Sequence, residues 1–296
     1  MTLLSILIPV YNFDIESLVT KLTLQLQDIS YDYEIIILDD ASTDTSIKIK
    51  NERLGVLKNC RYVTNNTNLG RTSSRQKLAN LAQYQYLLFL DADVLPKYDD
   101  FIARFSINSQ LADMIFGGVE YLDKSYSKDN SLRWKYGKNR EQKNQIIRQK
   151  SPYLSIISMC FLIKKNVFLN VNTYHENLYG LDVFFSYQLE KLDVTIVHID
   201  NPIFHTGLEE NTKFLAKSKE AMETLHNLVS LKKIPDNYRP IQKASNVLMK
   251  YKLSLIYIRA METFEKMVLK NLNSQNPSLF LFDLYRLYHY HKCFNK

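Results

Sequence analysis

The chain has 296 residues, of which 46% are hydrophobic and 23% are charged, with 38 Lys and Arg against 31 Asp and Glu. This composition excludes an intrinsically disordered chain, and seven Gly and seven Pro exclude collagen-like or linker-like material. The three cysteines, Cys60, Cys160 and Cys293, lie far apart without zinc-ligand spacing, so we expect neither a zinc module nor a disulfide scaffold. Because the sequence shows neither a long apolar run nor a signal-peptide pattern, we expect a cytoplasmic protein without a membrane-spanning helix.

Three short apolar segments rich in β-compatible residues predict strands at Leu3–Val10, Glu34–Leu38 and Tyr86–Leu90. Apolar residues at helical spacing separate the first two segments, and a helix is predicted over Arg71–Ala82, before the third. Strands that are apolar throughout and alternate with helices are typical of a parallel sheet covered on both faces. The sequence therefore predicts an α/β fold.

The second half of the chain changes from mixed to helical character. Further strand-like or helix-like segments are Asp113–Val119, Ser155–Ile163, Leu181–Leu192 and Val194–Ile199. From about Glu209 onward the pattern is helical. A stripe expected to bury one helix face consists of Ala244, Leu248, Tyr251, Leu255, Ile258 and Met261.

The positive charge is concentrated in two segments. Residues 213–296 carry 15 basic and 6 acidic residues, whereas residues 1–212 carry 23 and 25. Within the first part, residues 123–150 carry 9 basic and 3 acidic residues and lack a strong period. This predicts a basic flexible loop or, alternatively, a loosely docked helix. We therefore predict one domain over 1–212 and a basic helical extension over 213–296. The extension is either a solvated surface or a contact for an anionic membrane or acceptor.

Polar residues follow the predicted strands abruptly. Tyr11 and Asn12 follow the first, Asp39 and Asp40 end the second, and Asp91-Ala92-Asp93 follows the third. Ligands of open α/β sheets bind at the carboxyl ends of the strands, so these side chains should line one crevice. Carboxylates in an open site favour Mg²⁺ or Mn²⁺, with phosphate oxygens and waters as further ligands. The alternative is that these residues only cap the helices that follow.

Five segments in this order resemble the family-2 glycosyltransferases of GT-A fold. They are Pro9-Val10-Tyr11-Asn12, Asp39-Asp40-Ala41-Ser42-Thr43-Asp44, Asn68-Leu69-Gly70 with Arg75, Asp91-Ala92-Asp93, and Gly180-Leu181-Asp182. The resemblance covers roughly residues 1–210. It implies a Rossmann-like, mostly parallel central sheet flanked by helices, followed here by a C-terminal helical extension. It also implies inverting transfer of a sugar from a nucleotide diphosphate sugar, with a UDP-sugar favoured, to a glycan or lipid-linked acceptor.

The resemblance implies a role for each matched position. The nucleotide-sugar-binding residues would be Pro9, Tyr11, Asn12, Asp39, Asp40, Asn68, Arg75, Asp91, Ala92, Asp93 and Gly118. Within this set, Tyr11 would stack on the nucleobase, Asp40 would accept a hydrogen bond from the base edge, and Asp91 would contact the ribose. Gly118 follows Gly117 at a place where, in the family, the backbone approaches the donor sugar. The alternative interpretation is that these two glycines only form a β-bulge.

The same resemblance implies a divalent ion and a general base. Asp93 would ligate Mn²⁺ or Mg²⁺ on the diphosphate, with His205 as a further ligand. Asp182 would take the proton of the attacking acceptor hydroxyl. Family members usually have Glu before this Asp, whereas this chain has Leu181, so a contact to the acceptor or sugar is missing. Asp182 could alternatively stabilise only the N-terminus of the helix that follows.

Three other functions were weighed. A nucleotidyltransferase would show a glycine-rich phosphate loop after the first strand, where Pro9–Phe13 contains neither Gly nor Lys. A non-catalytic module that retains the sugar-nucleotide crevice remains an alternative because of Leu181. No nucleic-acid-binding motif is recognisable, so no nucleic-acid partner is expected.

The aromatic segment Pro277–Lys296 either caps the catalytic domain or lies on an anionic surface at the inner membrane face.

Overall fold

A computed structural model describes residues 3–27, 29–123, 126–174 and 176–295. The strands are β1 (Leu3–Val10), β2 (Asp32–Asp39), β3 (Cys60–Thr64), β4 (Tyr86–Leu90), β5 (Val94–Pro96), β6 (Met114–Phe116), β7 (Val119–Glu120), β8 (Cys160–Lys164), β9 (Ile196–His198) and β10 (Ile203–His205). The helices are α1 (Glu16–Leu26), α2 (Thr45–Glu52), α3 (Gly70–Leu81), α4 (Phe101–Asn108), α5 (Ser131–Tyr136), α6 (Gln145–Gln149), α7 (Lys165–Val171), α8 (Asp182–Lys191), α9 (Asn211–Ser230), α10 (Pro240–Lys250), α11 (Ser254–Leu272) and α12 (Leu279–Lys292).

The main sheet has seven strands in the order β3-β2-β1-β4-β8-β6-β9. Strands β3, β2, β1 and β4 run parallel, whereas β8 is antiparallel to both β4 and β6. The middle residues of β1, β2 and β4 are fully buried because helices cover both faces, as their continuous apolar sequences predict. The predicted α/β fold with a mostly parallel central sheet is confirmed.

A second sheet has three strands in the order β5-β10-β7. Strand β10 is antiparallel to β5, with His205 opposite Val94, and parallel to β7. Because β5 begins directly after Asp93, this pairing brings His205 beside Asp93 from a position more than one hundred residues away. The small sheet therefore supplies the carboxylate and the imidazole of the site described below.

The chain divides into two compact units. The first unit comprises Met1–Leu122, Glu141–Asn177 and Gln188–Gly207, and the second comprises Asp123–Arg140, Leu178–Tyr187 and Leu208–Lys296. The last stretch begins within a few residues of the predicted boundary at 212. The two shorter stretches of the second unit differ from the prediction, which placed them in the first domain.

The basic segment 123–150 is not the flexible loop that the sequence predicts. Its described part contains α5 and α6. Leu132 of α5 is fully buried in the apolar cluster of the second unit, and Arg148 of α6 is buried in the first unit. Ser131 Oγ also donates a 2.6 Å hydrogen bond to the carbonyl of Ser274. The segment is ordered by these distant contacts, which leave no periodic pattern in its own sequence.

The second unit is built around an apolar cluster of its helices. Its buried members are Leu132, Phe214, Leu215, Ile258, Met261, Val268, Leu272, Phe282, Tyr285 and Tyr288. Helix α12 contributes three of these side chains, so the segment Pro277–Lys296 caps the helical unit with its apolar face. The alternative, contact of this segment with a membrane, stays a prediction. Among the described helices none is long and apolar enough to cross a bilayer.

The predicted buried stripe over 244–261 holds only at its end. Ile258 and Met261 are buried, but Tyr251 and Leu255 are each 63% exposed. The reason is that α10 ends at Lys250 and α11 begins at Ser254. The turn between them interrupts the helical period, so residues before and after it do not share one face.

Candidate functional site

The end of β1 is tied to the loop after β2 by Asn12. Its side-chain oxygen accepts hydrogen bonds from the backbone N–H groups of Thr43 and Asp44, at 2.8 and 2.9 Å. Its own backbone N–H donates to Ser42 Oγ at 2.9 Å. Asn12 has a φ of 49°, a left-handed conformation that Asn tolerates better than most residues. Asn12 thus positions the crevice edge, and Pro9 and Tyr11 lie beside it, half-buried and 46% exposed respectively.

Asp39 and Asp40 have different environments. Asp39 is completely buried, accepts a 2.6 Å hydrogen bond from the Ser42 N–H and accepts another from the Tyr62 hydroxyl. Burial and then the neighbouring Asp39 carboxylate raise the pKa of Tyr62, so its phenol stays protonated and donating. Asp39 therefore supports the loop after β2, and its contact with a nucleotide sugar stays a prediction.

Asp40 is bound to the segment that begins α3. It accepts hydrogen bonds from Asn65 Nδ2 at 2.7 Å and from the backbone N–H groups of Leu69 and Gly70, at 2.9 and 2.8 Å. These contacts satisfy N–H groups at the start of α3, which lack intrahelical partners. They differ from the capping alternative, because the helix that follows Asp40 is α2, and Asp44 is its N-cap. Asn68 is exposed, and its side-chain oxygen accepts from the Gly70 N–H at 3.1 Å. The contact of Asp40 with a nucleobase stays a prediction.

Asp91 is held between two arginines of α3. Arg75 Nη2 lies 2.6 Å from Asp91 Oδ1, and Arg71 Nη2 lies 2.6 Å from Asp91 Oδ2. The two arginines are four residues apart and therefore project from one helix face. Arg75 is buried and also donates to the Ser158 carbonyl, whereas the side chain of Arg71 is 44% exposed. Asp91 thus fixes a buried and a water-facing guanidinium at the end of β4, and its contact with a ribose stays a prediction.

Asp93 and His205 form the second close polar contact of the site. His205 Nε2 lies 3.1 Å from Asp93 Oδ2, and His205 is buried while the Asp93 side chain is 31% exposed. The Asp93 carbonyl accepts hydrogen bonds from both the N–H and the hydroxyl of Thr206, each at 2.9 Å. Burial raises the pKa of Asp93, but the hydrogen bond from His205 and the charges of His205 and Arg71 outweigh it, so this pKa lies below its usual value.

Gly207 completes the fit around Asp93. A Cβ atom on Gly207 would overlap Asp93 Oδ2 and would lie 2.6 Å from Asp93 Cβ. Only glycine therefore allows the carboxylate to take its place beside His205. The sequence His205-Thr206-Gly207 thus supplies an imidazole, two hydrogen-bond donors and the space for one carboxylate.

The pair Asp93 and His205 fits a divalent ion. Two adjacent ligands of an octahedral ion with bonds of about 2.1 Å stand about 3 Å apart, which matches the observed 3.1 Å. Carboxylate oxygen and neutral imidazole are both accepted by Mn²⁺, and the oxygen also by Mg²⁺. No cluster of three or more His, Cys, Asp and Glu suited to a metal occurs in the part of the chain that the structure describes. Any ion held by this pair would therefore need further oxygen ligands from a substrate or from water.

Gly118 lies against a buried arginine. A Cβ atom on Gly118 would lie 2.6 Å from Arg148 Nη1. Arg148 donates to the carbonyls of Gly117 and Ile199, at 3.0 and 2.6 Å. Gly118 therefore permits the close approach of the Arg148 side chain. A contact between Gly118 and a donor sugar stays a prediction.

Asp182 belongs to the second unit, where it is the exposed first residue of α8. An acidic side chain in the first turn interacts favourably with the helix dipole. This position fits the alternative in which Asp182 only stabilises the N-terminus of α8. The charge of Asp182 also acts on Arg239 of the same unit. Burial lowers the pKa of Arg239, and Tyr238, Tyr136 and Asp182 partly offset this effect. Leu181, at the position where the family usually has an acid, is buried.

Two site residues were missed by the sequence analysis. Arg71 precedes Arg75 by one helical turn, and the helix predicted over Arg71–Ala82 already placed both on one face, so spacing alone could have found it. Gly207 had no such signal, because its role depends on the pairing of β10 with β5. Ala92, which was predicted to bind donor, is half-buried between the two carboxylates.

The model of the family described as glycosyl transferase family 2 matches residues 5–170. An uncharacterized glycosyltransferase of Haemophilus influenzae is 35% identical over 118 residues, which are 39% of this chain and 43% of that protein. Another uncharacterized glycosyltransferase, from Methanocaldococcus jannaschii, is 32% identical over 93 residues, which are 31% of this chain and 32% of that protein. The poly(ribitol-phosphate) beta-glucosyltransferase of Bacillus spizizenii is 36% identical over 97 residues, 30% of this chain and 14% of that protein. The matched segments thus span less than half the length of each relative.

Solved structures show the same fold. The glucosyl-3-phosphoglycerate synthase of Mycobacterium tuberculosis, in complex with Mg²⁺ and UDP, has a TM-score of 0.52 at 14% identity, covering 80% of this chain and 81% of that one. GalNAc-T7 with UDP, GalNAc and Mn²⁺ has a TM-score of 0.57 at 15% identity, covering 83% of this chain and 50% of that one. Because more than half of the chain matches the family model, the protein belongs to glycosyl transferase family 2 and has the GT-A fold.

Proposed function

We propose that this protein transfers a sugar from a nucleotide diphosphate sugar, with a UDP-sugar favoured, to a hydroxyl group of a glycan or lipid-linked acceptor, with inversion. The observation that carries the proposal is the contact of Asp93 with His205 at the edge where β1, β2 and β4 end in polar residues. Family membership and the UDP bound in two similar structures support it.

The donor nucleotide is assigned to the strand ends of the first unit. Tyr11 offers an exposed ring for the nucleobase, and Asn12 holds the loop after β2 against it. The diphosphate is assigned to the face where Arg71 stands beside Asp91. A guanidinium binds phosphate oxygens through several parallel hydrogen bonds, and Arg71 is the water-facing member of its pair.

Asp93 and His205 are proposed to hold Mn²⁺ or Mg²⁺ together with diphosphate oxygens. The ion would neutralise charge on the departing nucleoside diphosphate. With only two protein ligands, the site would bind an ion weakly in the absence of nucleotide. Similar structures that hold Mg²⁺ or Mn²⁺ together with UDP support this coupling.

Asp182 is proposed as the general base. It would accept the proton of the acceptor hydroxyl while that oxygen bonds to the anomeric carbon and the bond to the diphosphate breaks. Attack from the face opposite the leaving group gives inversion. Its exposure at the start of α8 leaves the carboxylate accessible to an acceptor. Leu181 provides an apolar side chain where an acid is usual, so the acceptor or sugar contact at that position differs from the family pattern.

The test is a screen of nucleotide sugars with Mn²⁺, read by thermal shift and by release of nucleoside diphosphate. Stabilisation by UDP and by one UDP-sugar, removed by EDTA, is the expected result. Slow hydrolysis of the same donor would support turnover. Donor binding without hydrolysis or transfer to any hydroxyl acceptor would favour the non-catalytic module. Absence of nucleotide binding would overturn the proposal.

A further inference from the structure

The second unit carries an exposed apolar surface around the turn between α10 and α11. Six large apolar side chains between residues 247 and 256 are from 38% to 67% exposed. They are Val247, Met249, Tyr251, Leu253, Leu255 and Ile256. Meanwhile Gln242 and Ser245 of α10 are fully buried. Helix α10 therefore has two polar side chains inward and two apolar side chains, Val247 and Met249, outward, which burial within this chain does not explain.

Helix α11 continues this surface because it carries a second apolar stripe, about 120° around the helix from the first. One face, with Ile258, Met261, Val268 and Leu272, packs in the apolar cluster of the second unit. The other face consists of Ile256, Ala260, Phe264 and Met267, all exposed. The spacing of these four residues, at i, i+4, i+8 and i+11, aligns them along one side of the helix. A helix with two apolar faces needs a partner for the second.

The charge around this surface has one sign. Residues 237–261 contain five basic residues and no acidic residue: Arg239, Lys243, Lys250, Lys252 and Arg259. Lys243, Lys250, Lys252 and Arg259 are exposed. Glu262 and Glu265 follow farther along α11. The apolar side chains around the turn are thus flanked by cations, a combination typical of helices that bind anionic bilayers in the plane of the interface.

A second copy of this chain would fit this surface poorly. A two-fold interface would place the lysines of both copies near one another, and the centres of protein interfaces are depleted of lysine. A bilayer surface instead offers hydrocarbon to Leu255 and Ile256 and phosphates to Lys250 and Lys252. Long lysine side chains can extend toward headgroups while their neighbours insert.

We propose that the surface formed by residues 247–256 and the exposed face of α11 binds an anionic lipid bilayer. This inference does not depend on the donor or on the reaction. It narrows the membrane contact that the sequence leaves open for the whole extension 213–296 to the exposed apolar residues of α10 and α11. For a family member whose acceptor is lipid-linked, the surface would hold the enzyme where that acceptor lies.

The test is vesicle flotation of the full chain with phosphatidylcholine alone and with 30% phosphatidylglycerol added. Binding to the anionic vesicles, weakened at least tenfold by 0.5 M salt, is the expected result because exposed charges are screened. Ile256→Glu with Leu255→Glu should reduce binding at least tenfold, and Lys250→Glu with Lys252→Glu should remove the preference for anionic lipid. Val56→Glu is the matched control, since Val56 is an exposed apolar residue of the first unit and lies outside the surface.

Two results would overturn this inference. The first is equal flotation of the wild type and the Ile256→Glu, Leu255→Glu variant, or no flotation of either. The second is a wild-type dimer in light scattering that the same variant dissociates, which would assign the surface to a second copy. Melting temperatures of all variants within a few degrees of the wild type would show that the substitutions act on the surface and not on folding.

Discussion

Asp93 Oδ2 and His205 Nε2 lie 3.1 Å apart although 111 residues separate them between β4 and the end of β10. This separation is that of a hydrogen bond, and it is also close to the roughly 3 Å between two adjacent ligands on one octahedral ion. The pairing of β10 with β5 creates this contact, and Gly207 leaves the space for it. The proposed metal site therefore depends on backbone pairing as much as on its two ligands.

Gly207→Ala should lower the affinity for UDP in the presence of Mn²⁺ at least tenfold. The added Cβ overlaps Asp93 Oδ2, so the carboxylate must turn away from His205. Thr206→Ser, which retains the hydroxyl that donates to the Asp93 carbonyl, should bind UDP as the wild type does. Calorimetric titration of both variants measures this difference. Equal affinity of Gly207→Ala and wild type would show that Asp93 is not held by this contact.

Arg71→Ala should mainly lower donor affinity and Arg75→Ala should mainly lower folding stability, although both arginines bind Asp91. Arg71 is partly exposed, so its loss should cost at most about 1 kcal/mol of folding stability but about tenfold or more in donor affinity. Arg75 is itself buried and donates to the Ser158 carbonyl as well as to Asp91, so its loss removes buried packing and two buried hydrogen bonds and should cost about 3 kcal/mol or more of stability. Urea unfolding and nucleotide titration of the two variants separate these roles. The assignment fails if Arg71→Ala binds the donor normally.

Asp182→Asn should reduce transfer by a factor of about 10² to 10⁴ and change donor affinity less than twofold, because a general base acts only in the transition state. Asp236→Asn, at an exposed acid of the same unit, is the control and should remain active. The measurement is steady-state transfer together with donor titration. Normal turnover by Asp182→Asn would show that Asp182 is not the general base and only stabilises the N-terminus of α8.

His198 should make the folded state sensitive to mild acid. Burial and the Arg148 charge lower its pKa to about 4, against the opposing effect of a hydrogen bond to the Pro152 carbonyl. The unfolded pKa is about 6.5, so this stabilisation is complete above pH 6.5 and is lost as the pH falls toward 4. The loss should reach about 3 kcal/mol.

The check compares urea unfolding of wild type and His198→Gln between pH 7.5 and 4. The difference in their free energies of unfolding should change across this window, because the contributions of all other groups cancel. A constant difference would contradict the neutral state of His198. Arg148, which donates to His198 Nδ1 at 3.4 Å, is the charged neighbour that opposes protonation.

The strand ends of the first unit could be predicted because each depends only on residues that are neighbours in the sequence. A buried parallel strand needs a continuous apolar run, and its abrupt end at Asp39 or Asp91 shows directly in the sequence. The five ordered segments also led to the family, which the family model confirms. The roles that the resemblance implies for Asp40 and Gly118 are less direct, because each already contacts other protein groups.

What could not be predicted depends on contacts between distant segments. The position of β8 between β4 and β6, antiparallel to both, follows from long-range pairing that no local pattern reveals. The segment around Ser131 joins the second unit through Ser274, and its high charge alone suggested a loop. The apolar residues at 247–256 fit a helical period and were therefore expected to be buried, but they face solvent. A helical period in the sequence does not show where a short turn interrupts the helix.

The most direct test of the central claim is calorimetric titration of UDP into the wild type and Asp93→Asn, each with Mn²⁺ and with EDTA. We expect Mn²⁺ to raise the affinity of the wild type at least tenfold and to have no effect on Asp93→Asn. Asp100→Asn, an exposed acid on another surface of the first unit, should behave as the wild type. Equal Mn²⁺ dependence of wild type and Asp93→Asn would contradict the proposed site.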